Sequence, residues 1–247
     1  MDVLSEKKQP VVTFTILRYS LRYRYRAFAN MGRWIWQPFQ TKGLGFQKLM
    51  GSGKSFGLIP DFSTYVFLAV WDTPEAARQF FTSAAWSQYV TGTTETGTLW
   101  LQPLRSHGSW DGSDPFPKGQ PIAAQDAAKP ILVLTRATIR TGALLDFWRY
   151  VPQARAHLKK HDSALLFAIG VGEKPVVQQC TISIWNDPKV IEQFAYRQSG
   201  HKEIVQRTRT KRWYKEELFA RFVVIDSEGF FANILDQTKQ KIFTETN

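Results

Sequence analysis

Residues 71–80 read WDTPEAARQF and residues 185–194 read WNDPKVIEQF, with Trp, Pro, Gln and Phe at matching places. Each copy has a tryptophan ending a β-type run (FLAVW, 67–71; TISIW, 181–185), then a turn, then a proline at the first helical position. The correspondence extends upstream. The glycine pairs Gly51/Gly53 in LMGSGKS and Gly170/Gly172 in AIGVGEKP match, and TILRYS (15–20) matches VLTRAT (133–138), setting Arg18 opposite Arg136. An internal repeat at this spacing predicts two copies of one structural unit.

In the second copy ILVLTRATI (131–139) predicts a strand, and residues 143–161 a helix broken at Pro152. LLFAIGV and VVQQCTISIW follow as strands around a glycine turn, residues 188–213 as helix, and FARFVVID as the closing strand. That βαββαβ order is ferredoxin-like, and two tandem units predict an α+β fold whose sheets join into an intramolecular dimeric α/β barrel. The expected organisation is an N-terminal repeat over 11–104, a Gly-, Pro- and Asp-rich linker over 105–129, a C-terminal repeat over 130–228 and a tail over 229–247.

Composition narrows the function. The 247 residues are 43% hydrophobic and 14% aromatic, which suits globular units with workable cores. No run of about 18 apolar residues occurs, and MDVLSEKKQP lacks the apolar core of a secretory signal, so a soluble, cytoplasmic protein is expected. Cys180 is the only cysteine, which excludes intramolecular disulfides and multi-cysteine metal sites. A net charge of +11 calls for an acidic partner: nucleic acid, an anionic membrane surface or an acidic protein.

GSGKS (51–55) suggests a phosphate loop, but position 48 is Lys where the fingerprint requires Gly, so the stretch reads as a turn. His201, Ile204, Val205 and Thr208 share one helical face, which allows either a core histidine or an axial haem ligand, and Gly200 would let a flat macrocycle approach the backbone. Cys180 shares a strand face with Ile182 and Ile184 that should pack beneath helices, as a structural thiol rather than an iron ligand. His157 and His161, with Asp162, have metal-ligand spacing, but the lysines between them favour a solvated helix end. His107 falls in the linker without an evident partner. Glu216 and Glu217 read as helix neighbours pointing different ways. RYSLRYRYRAF (18–28) and RTRTKRW (207–213) would suit a basic RNA-binding tandem module, but no strand carries the aromatic pattern of an RNA-recognition sheet, so no nucleic acid is expected.

LTRAT (134–138), Phe147-Trp148, IGVGEKPVVQQ (169–179), TISIWND (181–187), Gly200-His201 and WYKEELFARF (213–222) together resemble the spheroidene monooxygenase family. In the first half MGSG (50–53), LAVW (68–71), LWLQP (99–103) and SWDG (109–112) also resemble it. The resemblance implies a haem b protein that oxygenates acyclic carotenoids at C-2, using O2 and electrons from a ferredoxin-type donor. Haem-binding α/β barrels related to the family carry the ligand histidine on a C-terminal helix. It therefore implies His201 as axial iron ligand, Gly200 and Arg197 beside the cofactor, and Arg136 and Arg140 as polar groups that could steer O–O cleavage. A polyene substrate implies a deep apolar channel, which 9 Trp, 18 Phe and 8 Tyr could line or could instead pack as core. It also implies peripheral association with the inner membrane, and leaves a further homo-oligomer and a haem-binding relative of peroxidase or aldoxime type open.

Overall fold

The computed structural model describes residues 9–56, 58–119, 121, 126, 128–159, 164–186 and 212–236. The first half runs β1 (Val11–Tyr19), α1 (Arg24–Trp36), β2 (Leu44–Gly53), β3 (Pro60–Trp71), α2 (Pro74–Phe81), α3 (Ala84–Val90) and β4 (Thr93–Gly108). The second runs β5 (Ile131–Ile139), α4 (Leu144–Lys159), β6 (Leu165–Gly172), β7 (Gln178–Trp185) and β8 (Tyr214–Gly229). The repeated Trp-x-x-Pro start is visible in α2, where the Thr73 side chain caps the Ala76 N–H and Pro74 occupies the first turn. Its counterpart beyond Asn186 lies outside the described residues.

The eight strands close a barrel in the order β1-β3-β2-β6-β7-β5-β8-β4, with all neighbours antiparallel. Each half supplies the order fourth-first-third-second of a ferredoxin-like sheet, so the repeat read in the sequence becomes two half-barrels. Closure brings every strand between two neighbours. The two seams differ. β4 and β8 pair from Gly97–Gly229 to Gly108–Leu218, whereas β2 and β6 meet only at Gly51–Gly172 and Ser52–Val171. The matching glycines therefore belong to strands that pair with each other, not to turns. A side chain at Gly172 would press its Cβ to 2.6 Å from the Gln178 carbonyl oxygen.

The lumen is filled with side chains. Phe14, Ile16, Leu68, Leu99, Leu134, Ile182 and Phe222 form its core, as expected for an eight-stranded barrel. Trp110 and Phe116 close one end, and Phe231 and Leu235 the other. Residues 230–236 are helical, so the stretch expected as a tail begins with a plug. The plugs follow equivalent glycines: SHGSW (106–110) and SEGFF (227–231) each place a left-handed glycine two residues before the aromatic. At Gly108 a Cβ would lie 2.1 Å from the Glu217 carbonyl oxygen, and at Gly229 2.2 Å from that of Thr96, so no other residue fits either position without moving backbone.

Three local expectations are corrected. α4 runs unbroken through Pro152, which is exposed, so the carbonyl that loses its helical partner there can meet water. Glu216 and Glu217 lie on β8, not a helix, and strand alternation sends Glu216 inward and leaves Glu217 exposed. Cys180 faces the lumen rather than the helices. Both faces of β7 are buried, so apolarity could not tell lumen from helix side.

Candidate functional site

The outer faces of the two half-barrels are described to different extents, because residues 187–211, which follow β7 as α2 and α3 follow β3, lie outside the described residues. In the first half α1, α2 and α3 seal the sheet centre: Thr13, Thr15, Leu17, Phe67 and Ala69 are all buried beneath Phe80, Trp86 and Tyr89. The two threonines there are satisfied, Thr13 accepting from the Trp71 indole at 2.8 Å and Thr15 meeting Thr98 at 2.9 Å. In the second half the corresponding Val133 and Thr135 of β5, with Thr181 of β7 and Phe219 of β8, are half-buried. Among the described residues, two separate apolar clusters flank them. Ile131, Ala164, Trp185 and Val223 lie on one side, and Ile139, Phe147 and Trp213 on the other. Tryptophan hydrogen bonds hold the second cluster: Trp213 donates to Asp146 at 2.9 Å and Trp148 to the Val176 carbonyl at 2.8 Å. Among the described residues these form a surface of apolar and hydroxyl side chains framed by aromatic walls, a lining that suits a flat and mostly apolar group.

The sequence candidates divide around this surface. Arg140 is exposed at the end of β5, its Nε donating to the Tyr214 carbonyl at 3.1 Å. Arg136 is 1% exposed and points into the lumen, so the two arginines do not share a site. Cys180 pairs with Arg136 across β5 and β7, and burial pushes its thiol well above its ordinary range although the Arg136 charge opposes the shift. Packed in the lumen core, this thiol is out of reach of a group seated on the barrel's outer face. His107 lies on β4, and its ring stacks on Phe219 at 5.1 Å, which corrects the expectation that it lacks a partner. His201, Gly200 and Arg197, and the side chains of His157, His161 and Asp162, lie outside the described residues. Among the described residues no group of three or more His, Cys, Asp or Glu could hold a metal ion.

An ionic network built on buried Arg136, not anticipated from sequence, closes the Trp110 end. Arg136 binds Glu216, and Glu216 also accepts from the Ser109 hydroxyl at 2.9 Å and the Gly112 N–H at 2.8 Å. Lys48 bridges Asp111 and Glu173, and the Trp110 indole donates to Glu173 at 2.7 Å. The Arg136 guanidinium also lies 5.3 Å from the Trp110 ring centroid. Burial works to raise the Glu216 carboxyl, but the hydrogen bonds from Gly112, Arg136 and Ser109 and the Arg136 charge outweigh it and hold it at about 2. A shallow cleft of about 320 Å³ lies beside this network, lined by Phe46, Lys48, Trp110 and Asp111 among others. The SHGSW/SEGFF match was the signal that could have located this end of the barrel.

The fold defines an intramolecular dimeric α/β barrel, the class of an aldoxime dehydratase to which it is similar with a TM-score of 0.58 at 13% identity, over 90% of this chain and 83% of that one. A second aldoxime dehydratase, crystallised with butyraldoxime, gives 0.53 at 11% identity over 90% and 81%. No family model matches the sequence. The chain is 38% identical over 188 residues to spheroidene monooxygenase of Cereibacter sphaeroides, covering 74% of this chain but 57% of that protein, so it spans little more than half of that relative. It is 35% identical over 187 residues to spheroidene monooxygenase of Rhodobacter capsulatus, covering 74% and 77%. The chain belongs to the spheroidene monooxygenase family.

Proposed function

We propose that this chain is a haem-dependent monooxygenase of acyclic carotenoids, hydroxylating and then ketolating the substrate at C-2 with O2 and electrons from a ferredoxin-type donor. The observation that carries the reading is its 35% identity to the Rhodobacter capsulatus spheroidene monooxygenase over 77% of that protein. The apolar and hydroxyl lining of the second half-barrel's outer face, Val133, Thr135, Thr181 and Phe219 among the described residues, supports a cofactor there. When bound, haem b supplies the iron at which O2 is activated. His201 would hold the iron, Gly200 would admit the ring, and Arg197 would pair with a propionate. Val133 and Phe219 would seat the ring's apolar face, with the Thr135 and Thr181 hydroxyls as hydrogen-bonding groups beside it. Arg140, exposed on the outside of the barrel, is the more accessible of the two arginines for steering O–O cleavage. Arg136 is committed to Glu216 and would act by positioning β5.

The packed lumen leaves no room for a long polyene, so the substrate would lie outside the barrel, against the same face, where apolar walls exclude water from the reacting carbon. The +11 charge supports docking of an acidic electron donor. Among the described residues no helix is long and apolar enough to cross a membrane. The reading assigns the protein to the cytoplasm, peripheral to the inner membrane. Feeding lycopene-type carotenoids to the reduced, haem-loaded protein and identifying the products tests it: C-2 alcohol or ketone supports the activity, and unchanged carotenoid with turnover of an aldoxime or peroxide contradicts it.

A further inference from the structure

Helix α1 is apolar on two opposite sides. One side buries Ala27, Asn30 and Trp34 against the sheet. The other carries Tyr25, Phe28, Gly32, Ile35 and Trp36 at i, i+3, i+7, i+10 and i+11, which is a single stripe on a helix of 3.6 residues per turn. This second stripe faces solvent: Tyr25 is 84% exposed and Trp36 87%, with Phe28 and Ile35 more than half exposed. It continues onto the connection between β2 and β3, where Leu58 and Ile59 are exposed, and onto the start of β3, where exposed Phe62 meets Phe28 edge-on at 5.7 Å. Scattered exposed apolar residues are normal on a protein surface, but a contiguous aromatic stripe of this kind marks an interaction site.

Charge selects the partner. Arg22, Arg24, Arg26 and Arg33 are exposed around the stripe, and residues 21–36 contain no acidic side chain. Arg24 lies to one side of the stripe and Arg26 and Arg33 to the other. Asp61 is the neighbouring carboxylate; burial raises its pKa, but hydrogen bonds from Ser63 and the Arg24 charge outweigh this and keep it ionised. A second copy would bring four like charges against four, which repels. An acidic protein would match the arginines but leave Tyr25, Ile35 and Trp36 against polar surface. A bilayer with anionic headgroups satisfies both: the apolar stripe enters the acyl boundary, the arginines reach up to the phosphates, and Trp and Tyr sit at the headgroup level.

We infer that α1 and the β2–β3 connection form the surface by which this chain docks on an anionic lipid bilayer. The choice of a lipid partner rests in part on the proposed function, because carotenoids reside in lipid. The geometry adds to it: Phe56, at the base of the same connection, packs against the cluster of Ile131, Ala164, Trp185 and Val223, against which Val133 of the second half-barrel's outer face also packs. The docking surface and the proposed substrate face are thus joined by one short segment.

Flotation of the purified full chain with vesicles tests the assignment, using equimolar phosphatidylglycerol and phosphatidylcholine beside phosphatidylcholine alone. The wild type is expected to float with the anionic vesicles and to be released by high salt. Tyr25→Ser/Phe28→Ser/Trp36→Ser, checked for an unchanged circular dichroism spectrum, is expected to lower the bound fraction about tenfold or more. Arg24→Ser/Arg26→Ser/Arg33→Ser is expected to lose the preference for phosphatidylglycerol, and Leu145→Ser, an exposed leucine of α4, to bind like the wild type. Failure of the folded wild type to float, or a triple aromatic variant that floats as well as the wild type, overturns the inference. So does a wild-type dimer that the aromatic variant makes monomeric, which would assign the stripe to a second copy. Flotation needs no haem, so a chain that floats but never takes up haem retains this inference while contradicting the proposed function.

Discussion

Trp110 and Phe231 close opposite ends of one barrel, each two residues beyond a left-handed glycine that ends a long strand. They occupy equivalent positions of the two repeats, the fifth residue of SHGSW and of SEGFF. Replacing either with Ala removes a large buried side chain from a packed lumen, and each change should cost about 3 to 5 kcal/mol in denaturant unfolding. Trp110→Ala also leaves Glu173 without its indole donor, so it should be the worse of the two.

Gly108→Ala and Gly229→Ala should each destabilise the chain, by about 2 kcal/mol or more, because both residues combine positive φ with a carbonyl oxygen where a Cβ would stand. Thermal melting checks this. Gly112→Ala provides the comparison: its φ is also positive, but nothing lies within 4 Å of the added atom, so it should cost less.

The Arg136–Glu216 pair lies inside the barrel, so breaking it from one side is expensive. Arg136→Ala should cost about 1 to 3 kcal/mol, since it removes the charged partner of a partly exposed carboxylate that keeps its Ser109 and Gly112 donors. Arg136→Met combined with Glu216→Gln should cost less than the sum of the two single changes, and a double-mutant cycle measures the difference.

Acid should weaken the fold through the same carboxylate. The Glu216 carboxyl is held at about 2, below its ordinary 4.5, so the folded state binds fewer protons than the unfolded state between those values. Its contribution is complete above about pH 4.5 and is lost as pH falls toward 2. Glu216→Gln should flatten the stability profile across that window relative to the wild type.

Much of this architecture could be read in advance, and the reasons are local. The Trp-x-x-Pro repeat encodes a strand end and a helix start by capping chemistry, which needs no tertiary context, and so the two half-barrels were legible. Inside-outside assignments were not. Cys180 and Trp185 lie on opposite faces of β7 and are both buried, so alternation predicts two faces without saying which is the lumen. Glu216 reads as a surface carboxylate until β5 brings Arg136 beside it, 80 residues away in sequence. The surface stripe of α1 was hidden differently: RYRYRAF reads as a basic segment, and only the burial of Ala27, Asn30 and Trp34 shows that the remaining aromatics face outward.

Cys180→Ala should leave any haem spectrum unchanged, since the thiol is sealed in the lumen and burial keeps it protonated. The wild-type thiol should react with a thiol reagent only after unfolding. A lost spectrum in the folded variant would return the sulfur to consideration as a ligand.

The absorption spectrum of the purified chain, oxidised, reduced and reduced with CO, tests the central claim most directly. Haem held by His201 gives a Soret band that shifts on reduction and again on CO binding, and that is absent from a folded His201→Ala variant. A folded chain that remains colourless after incubation with haem would contradict it.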